Sequence, residues 1–417
     1  MKYQEALDYL EAFQESGGVK PENIGRLCEY LGNPQEELQF ADLTNIKGNG
    51  SVQAYVASVM KCGGYRVGRY PSPVFTDARD KILVNDSPIT QKAFCQGMEL
   101  LRGGCENMTE MGLPHPTALE LETALAFWYF REKKCDLVLL ENTSTIVSSG
   151  EVQDAVKVAA VKAFAPEPAE SAECTGVRYG LEHQRFHYGG YKNLEISLAG
   201  KTQPEKAALA LELVKALAEK GYAVKESAVR EGLKAAKVPG CFQIIGKKPY
   251  FVVDRTETEA DAKELAGNIE QYFGGRRILY IMGFSRDMEY EKMIQRLHVY
   301  GDLVIAVTPP HYAGAGQQEK VYQAYAGAGL QEKAYQTYVG AGQQKKAYQA
   351  YVPDQGRALP AYDLAMEVSK VHPNVTAVDS LEEAVEISRL LAGKEDVILA
   401  CGALSYLGKL ARIVEKK

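Results

Sequence analysis

The sequence has no Cys-x-x-Cys pair, no apolar run of membrane-spanning length and no surplus of basic charge. Its eight cysteines (Cys28, Cys62, Cys95, Cys105, Cys135, Cys174, Cys241 and Cys401) stand far apart. That scatter excludes a disulfide framework and a zinc site of the usual spacing, and fits reduced, mostly buried thiols. No stretch approaches the ~20 apolar residues needed to cross a bilayer. A net charge of −6 lacks the basic face that a general nucleic-acid or membrane-surface binder requires. The opening "MKYQEALDYLEAF" has no signal-peptide core and reads as an amphipathic, partly acidic helix. These absences predict a soluble cytoplasmic protein with no nucleic-acid or membrane partner. Nothing in them names a protein partner or an oligomeric state.

What is present is length and apolar content. With 417 residues, 46% of them hydrophobic, the chain can build two full-sized cores. Helical periodicity runs to about Tyr30 and stops at the turn signal "LGNPQ". A strand-like "LQFADL" then leads into "NIKGNGSV" (45–52), and "GSVQAYVASVMKCGGY" continues as a helix ending at Gly63-Gly64. "YPSPVFTDARDKILVN", with two prolines and a run of charge, reads as an exposed loop. "PTALELETALAFWYFREKKC" reads as a helix before "DLVLLE", a buried parallel strand. Two helices, from about 204 to 220 and then to 236, precede a linker "KVPGCF" at 237–242.

Beyond the linker, apolar runs alternate regularly with helices. "YFVVD", "RILYIMGF", "DLVIAVTPP", "NVTAVD" and "DVILACGAL" are separated by helical segments near 257–273, 287–299, 359–371 and 381–392, with a last helix at 404–415. Such alternation predicts a doubly wound parallel sheet, which binds ligands at the carboxyl ends of its strands. One segment breaks the rhythm. Residues 312–350 are three consecutive thirteen-residue copies, "YAGAGQQEKVYQA", "YAGAGLQEKAYQT" and "YVGAGQQKKAYQA". Solenoid units are longer, and a step of thirteen does not return to one helix face, so the copies read as a tandem duplication forming a polar, mobile loop.

The octet "NIKGNGSV" has the outline of a phosphate cradle in the required strand–loop–helix setting. Taken alone it reads first as a plain Gly-rich turn. Gly50-Ser51 is in place, but Asn49 stands where a lysine is expected and Lys47 lies further back.

Taken in order, these pieces resemble the folylpolyglutamate synthase/dihydrofolate synthase family of the Mur ligase superfamily. "LGNPQ" stands ahead of the phosphate loop at the family's spacing. "YPSPVFTDARDKI" is similar to the family's substrate-side Y-T-S-P-H-L-x-x-x-R-E-R-I, carrying Ser72, Pro73, Asp77 and Arg79. "PTALELETALAFWYF" is similar to P-T-x-F-E-x-x-T-A-L-A-F, with Glu120 on the family's glutamate and Glu122 beside it; either also reads as helix surface. "LAGKTQPEKAALAL" is similar to L-x-G-x-x-Q-x-x-N-A-A-L-A, and "VTPPHY" with "RALPAYDLA" to a P-P-x-x-R-A-L-P segment split by the repeats.

The resemblance implies an α/β fold: a Mur-ligase-like P-loop-type domain over 1–238, shortened after residue 142, and a smaller Rossmann-like domain over 239–417 carrying the 312–350 insertion. It implies an ATP- and Mg²⁺-dependent ligase that adds L-glutamate to folate or dihydropteroate through an acyl phosphate. Carried over by position, the nucleotide side comprises Lys47, Gly48, Asn49, Gly50, Ser51, Gln203 and Asp254, and the Mg²⁺ side Ser51 and Glu141.

The departures cluster on that machinery. Asn49 replaces the loop lysine and Asn45 its first glycine. The glycine-rich run after Glu141 is absent, with the metal-side histidine and modified lysine beyond it, and the chain passes to "SSGEVQDAVKVAAVKA", read as a later helix. Cys241 replaces the linker arginine, Lys206 the adenine-side asparagine, and D-G-A-H-N-P survives only as Asp254. Asparagine keeps a hydrogen bond but not the charge that makes a phosphate contact roughly twice as strong. Reduced or absent catalysis is expected, with a non-catalytic ligand- or partner-binding role as the alternative. Gly283, Arg286 and Asp287 match a family turn, although a helix N-cap is the simpler reading of Asp287. His183, His187 and His298 match no motif and read as structural or solvated.

Overall fold

A computed structural model describes residues 1–13, 21–43, 50–70, 74–140, 161–162, 174–310 and 358–416. The chain divides into two compact units, Met1–Val238 and Pro239–Lys417.

In the first unit a six-stranded sheet is built from β1 (Phe40–Asp42), β2 (Val67–Tyr70), β3 (Leu83–Val84), β4 (Ser87–Pro88), β5 (Leu137–Leu140) and β6 (Val161–Lys162), in the order β4-β3-β2-β5-β1-β6. β2, β5, β1 and β6 run parallel, while β3 and β4 add an antiparallel edge. The apolar run at 137–140 is buried on both faces, as a central parallel strand must be. Leu137 and Leu139 join the core beneath α3 (Ser51–Cys62), α6 (Gln203–Glu219) and α7 (Glu226–Ala235). Val138 and Leu140 join the opposite core, with α1 (Tyr3–Glu11), α2 (Pro21–Tyr30), α4 (Gln91–Glu110) and α5 (Ala118–Glu132). Where α7 crosses α3, a Cβ on Gly232 would lie 2.4 Å from the Cα of Val59, so only glycine lets the two backbones meet.

Three differences from the sequence expectations stand out in this unit. Val161–Lys162, inside the segment expected as a helix, is a strand paired with β1 at Ala41↔Val161. The segment expected as an exposed loop holds a short 3-10 helix at Ala78–Lys81 and the β3–β4 hairpin, with residues 74–82 half-buried or buried. An antiparallel sheet of β7 (Thr175–Arg178), β8 (Gln184–Tyr188) and β9 (Tyr191–Ile196) precedes α6, and its Phe186, Leu194 and Ile196 enter the α3-side core.

The second unit holds β10 (Gln243–Lys247), β11 (Tyr250–Arg255), β12 (Ile278–Gly283), β13 (Leu303–Ala306), β14 (Val375–Ala377) and β15 (Val397–Gly402), ordered β10-β11-β15-β12-β13-β14. All pairs are parallel except β10–β11. β11, β12, β13 and β14 are linked by α8 (Glu259–Phe273), α9 (Tyr290–Leu297) and α10 (Ala361–Ser369). The chain then returns through α11 (Leu381–Leu391) to place β15 between β11 and β12, and ends in α12 (Leu404–Glu415). β12 and β15 are buried at every residue. Capping fixes where helices begin. Thr258 and Asp261 form a reciprocal box at the start of α8, and Ser380 caps α11 through Glu383 N–H at 3.1 Å.

Candidate functional site

Three of the residues expected on the nucleotide side, Gly50, Ser51 and Gln203, stand together at the start of α3. Gly50 takes a left-handed φ of 76° at the N-cap of α3 and, being glycine, offers no capping side chain of its own. The first-turn amides of α3 are outside the helix's own hydrogen-bond ladder and carry its positive dipole end, which suits a phosphate. Ser51 is fully buried. Its Oγ accepts from Nε2 of Gln203 at 3.2 Å, and Gln203 Oε1 accepts from the Tyr55 hydroxyl at 3.2 Å. Gln203 opens α6, so one side-chain contact joins the N-terminal ends of two helices.

A second polar chain anchors the same helix. Gln53 donates to the carbonyl of Leu139 at 3.3 Å and accepts from Nε of Arg69 at 3.2 Å, and Arg69 pairs with Asp86 at 3.4 Å. Gln53, Arg69 and Gln203 are all buried, where an unsatisfied polar group would cost 1–3 kcal/mol or more by general estimate, roughly. Of the sequence candidates, Gly50, Ser51 and Gln203 meet here; Lys47, Gly48 and Asn49 lie outside the described residues. Tyr55, Gln53 and Arg69 were not singled out from sequence. Their signal was weak but present: Tyr55 follows Ser51 by four residues, one helical turn, and Gln53 is a polar residue in an otherwise apolar helix.

Of the residues expected on the substrate side, Asp77 and Arg79 form a bidentate pair, Nε to Oδ1 at 2.9 Å and a terminal nitrogen to Oδ2 at 3.0 Å. The Tyr3 hydroxyl donates to the same Oδ1 at 2.6 Å. Burial pushes the Asp77 pKa up, but the Arg79 and Tyr3 hydrogen bonds outweigh it and hold the carboxyl below its usual value. The Arg79 charge is thus already matched by a carboxylate. Ser72 and Pro73 lie outside the described residues. Glu120 is not helix surface: it is fully buried and accepts from Thr117 N–H at 2.6 Å and from Asn23 at 3.2 Å. Glu122 pairs with Lys81 at 2.6 Å.

In the second unit Asp254 sits at the end of β11, opposite Cys401 of β15. Oδ2 accepts from Phe242 N–H and Oδ1 from the Thr256 hydroxyl, each at 2.8 Å. Burial raises its pKa to about 7, against the partial opposition of those two hydrogen bonds. Cys241 is half-buried in the turn that Asp254 holds. Asp287 does not cap α9; that position belongs to Glu289, without a side-chain bond, because the helix starts two residues later than its sequence pattern implies. Arg286 pairs with Asp363 at 3.3 Å. His187 accepts from Asn193 N–H through Nδ1 at 2.8 Å, and His298 Nδ1 lies 3.2 Å from the Ile294 carbonyl.

The residues present at the start of α3 fit a phosphate-bearing nucleotide. First-turn amides, a left-handed glycine and a fixed hydroxyl stand together at the start of α3. Among the described residues no group of three or more His, Cys, Asp or Glu side chains could hold a metal ion, and Glu141 lies outside them. Among the described residues, too, no helix is long and apolar enough to cross a membrane.

No family model matches the chain. Solved structures fix the fold. Over the full length of both chains, the structure overlays a Mycobacterium tuberculosis folylpolyglutamate synthase complexed with ADP, with a TM-score of 0.76 at 16% identity. The molecule therefore has the two-unit α/β architecture of the Mur-ligase type. By sequence, it is 24% identical over 356 residues to a dihydrofolate synthase/folylpolyglutamate synthase of Bacillus subtilis, spanning 71% of this chain and 82% of that protein. It is also 24% identical over 372 residues to a folylpolyglutamate synthase of Lacticaseibacillus casei, spanning 74% of this chain and 86% of that one. In sequence the chain is similar to the folylpolyglutamate synthase/dihydrofolate synthase family.

Proposed function

We propose that the protein is a folylpolyglutamate/dihydrofolate-synthase-type ligase whose ATP-dependent addition of L-glutamate to folate or dihydropteroate is reduced or absent. The observation that carries this reading is the asymmetry between its two halves of nucleotide machinery. The Ser51–Gln203 contact keeps the start of α3 ordered for a phosphate. Asp254, by contrast, is enclosed and committed to Phe242 and Thr256, and the neighbouring position that would carry a cation holds Cys241. ATP, when bound, supplies the phosphoryl group that activates the substrate carboxylate. This chain's part is to seat the phosphates on the α3 amides and hold the Ser51 hydroxyl in place. With Asn49 and Cys241 standing for cations, two charge-assisted contacts are missing. At ~1.5–3 kcal/mol each, their loss weakens nucleotide binding by about two to four orders of magnitude.

A second reading, a non-catalytic binding protein, draws on the same Asp254 geometry: a carboxyl consumed in a structural turn serves a retained fold without serving a reaction. Calorimetry with ATP, with and without Mg²⁺, and mass spectrometry for the glutamyl conjugate after incubation with ATP, glutamate and dihydropteroate or tetrahydrofolate separate these outcomes. Weak nucleotide binding with little or no conjugate is expected. Steady conjugate formation that disappears in Ser51→Ala would overturn the reading of a weakened site.

A further inference from the structure

The segment 74–82 has few apolar anchors of its own. Residues 74–81 are all half-exposed, and only Ile82 is buried. Its shape is held by polar contacts. Asp80 Oδ2 gathers Phe75 N–H at 3.2 Å, Thr76 N–H at 2.7 Å, the Thr76 hydroxyl at 3.2 Å and Asp77 N–H at 3.1 Å. Asp77 in turn accepts from the backbone and guanidinium of Arg79. These bonds fold the segment on itself and fix nothing about where it stands. From outside, the segment is tied by Lys81 on Glu122 of α5, by Tyr3 of α1 on Asp77 and by Arg79 on the Ile89 carbonyl at 3.5 Å, with Ile82 seated in the core.

The Tyr3 contact is built as an anchor. Its ring lies edge-on to Phe94 at 5.5 Å, and the Arg79 guanidinium carbon stands 5.6 Å from the ring centroid. Its hydroxyl, whose own ionisation is pushed upward by burial and by Asp77, donates to an ionised carboxylate at 2.6 Å. The helix behind it is fixed by Ala6 and Leu10 in the core. Hence one hydroxyl couples a packed helix to the Asp77–Arg79 pair.

We propose that Tyr3 is a positioning residue, holding the 74–82 segment at the place where the pterin-bearing substrate is received. The substrate half of this inference rests on the proposed function; the tethering half rests on the contacts alone. Because Arg79 is neutralised by Asp77, the segment serves by its fixed shape and not as a free cation.

Tyr3→Phe removes the hydroxyl and keeps the ring. Hydrogen exchange resolved over 75–80 and over 5–11, together with binding of dihydropteroate and tetrahydrofolate to both proteins, tests the inference. We expect about tenfold faster exchange at 75–80, unchanged exchange at 5–11, and about tenfold weaker pterin binding, the factor a single hydrogen bond to a charged group commonly carries. Unchanged exchange at 75–80 would overturn the tether. Faster exchange with undiminished pterin binding would overturn the substrate role. A wild-type chain that binds neither ligand would overturn the proposed function and with it the substrate half, leaving exchange to decide the tether.

Discussion

Asp254 is a carboxylic acid that the fold keeps protonated close to neutral pH, with burial as the main cause and Glu264 and Asp261 adding repulsion. Its folded-state pKa of about 7 lies above the reference value of 3.8, so between those values the folded chain binds a proton that the unfolded chain releases. Its contribution to stability is therefore complete below the lower value and is lost as pH rises through the upper one. At about 1.4 kcal/mol per pKa unit, the loss amounts to a few kcal/mol. Asparagine reproduces the neutral acid: its oxygen can accept from Phe242 N–H while its amide donates to Thr256. We expect Asp254→Asn to flatten the fall in urea midpoint between about pH 4 and pH 7, and to be the more stable protein at the alkaline end. Parallel pH profiles for the two proteins would contradict this. Residues of this kind show how far a sequence can be read. Ser51 and Gln203 were legible because a motif pairs their chemistry. Asp77 and Arg79 were legible as charges, but their mutual neutralisation was not, and Tyr3 has no local signal because its partner lies 74 residues away.

At the scale of elements, the ends of the repeat-bearing segment are drawn together within the second unit. Leu359 N–H donates to the Phe284 carbonyl at 3.0 Å, Ala361 N–H to the Thr308 hydroxyl at 2.9 Å, and Ser285 bridges Ala358. The flanks are thus registered by bonds that lie outside 312–350, which itself falls outside the described residues. Deleting Tyr312 through Ala350 is expected to leave the melting temperature within about two degrees of the parent. Loss of a single buried contact worth about 1 kcal/mol would move it by roughly that much or more. A drop of several degrees by calorimetry would mean that the copies pack. Long periodic helices such as Ala118–Glu132 are evident from sequence. Gln91–Glu110 is not, since Gly97, Gly103 and Gly104 lower its helix propensity, and it forms because Gly97 meets Leu125 and Trp128 while Gly103 and Gly104 meet Tyr30. The strand at Val161–Lys162 is equally opaque, because its identity comes from pairing with β1 and not from any periodicity of its own.

Across the whole molecule, each unit has a sheet with its own buried interior. In the second, β12 and β15 are wholly buried, and Tyr406 is enclosed with its hydroxyl on the carbonyls of Ile281 and Cys401 at 2.9 and 2.7 Å. Pro239–Lys417 expressed alone is therefore expected to fold, giving a single cooperative thermal transition and protected amides in β12 and β15. A non-cooperative melt would show that its core depends on the preceding residues. This half was the more legible one, since every parallel strand carries an apolar run and every crossover a periodic helix. The first half depends on long-range choices, such as a three-stranded antiparallel sheet joining the α3-side core, that no short window of sequence contains.

The close meeting of Gly232 and Val59 makes α3 a lever with a fixed fulcrum. Val59 stands eight residues beyond Ser51, about 12 Å down the axis at 1.5 Å per residue. A side chain at 232 pries the far end of that rod off its bearing, and the end that presents Ser51 swings in response. The aim of the first-turn amides of α3 is thus held by the absence of a single methyl group in a helix from a distant part of the chain.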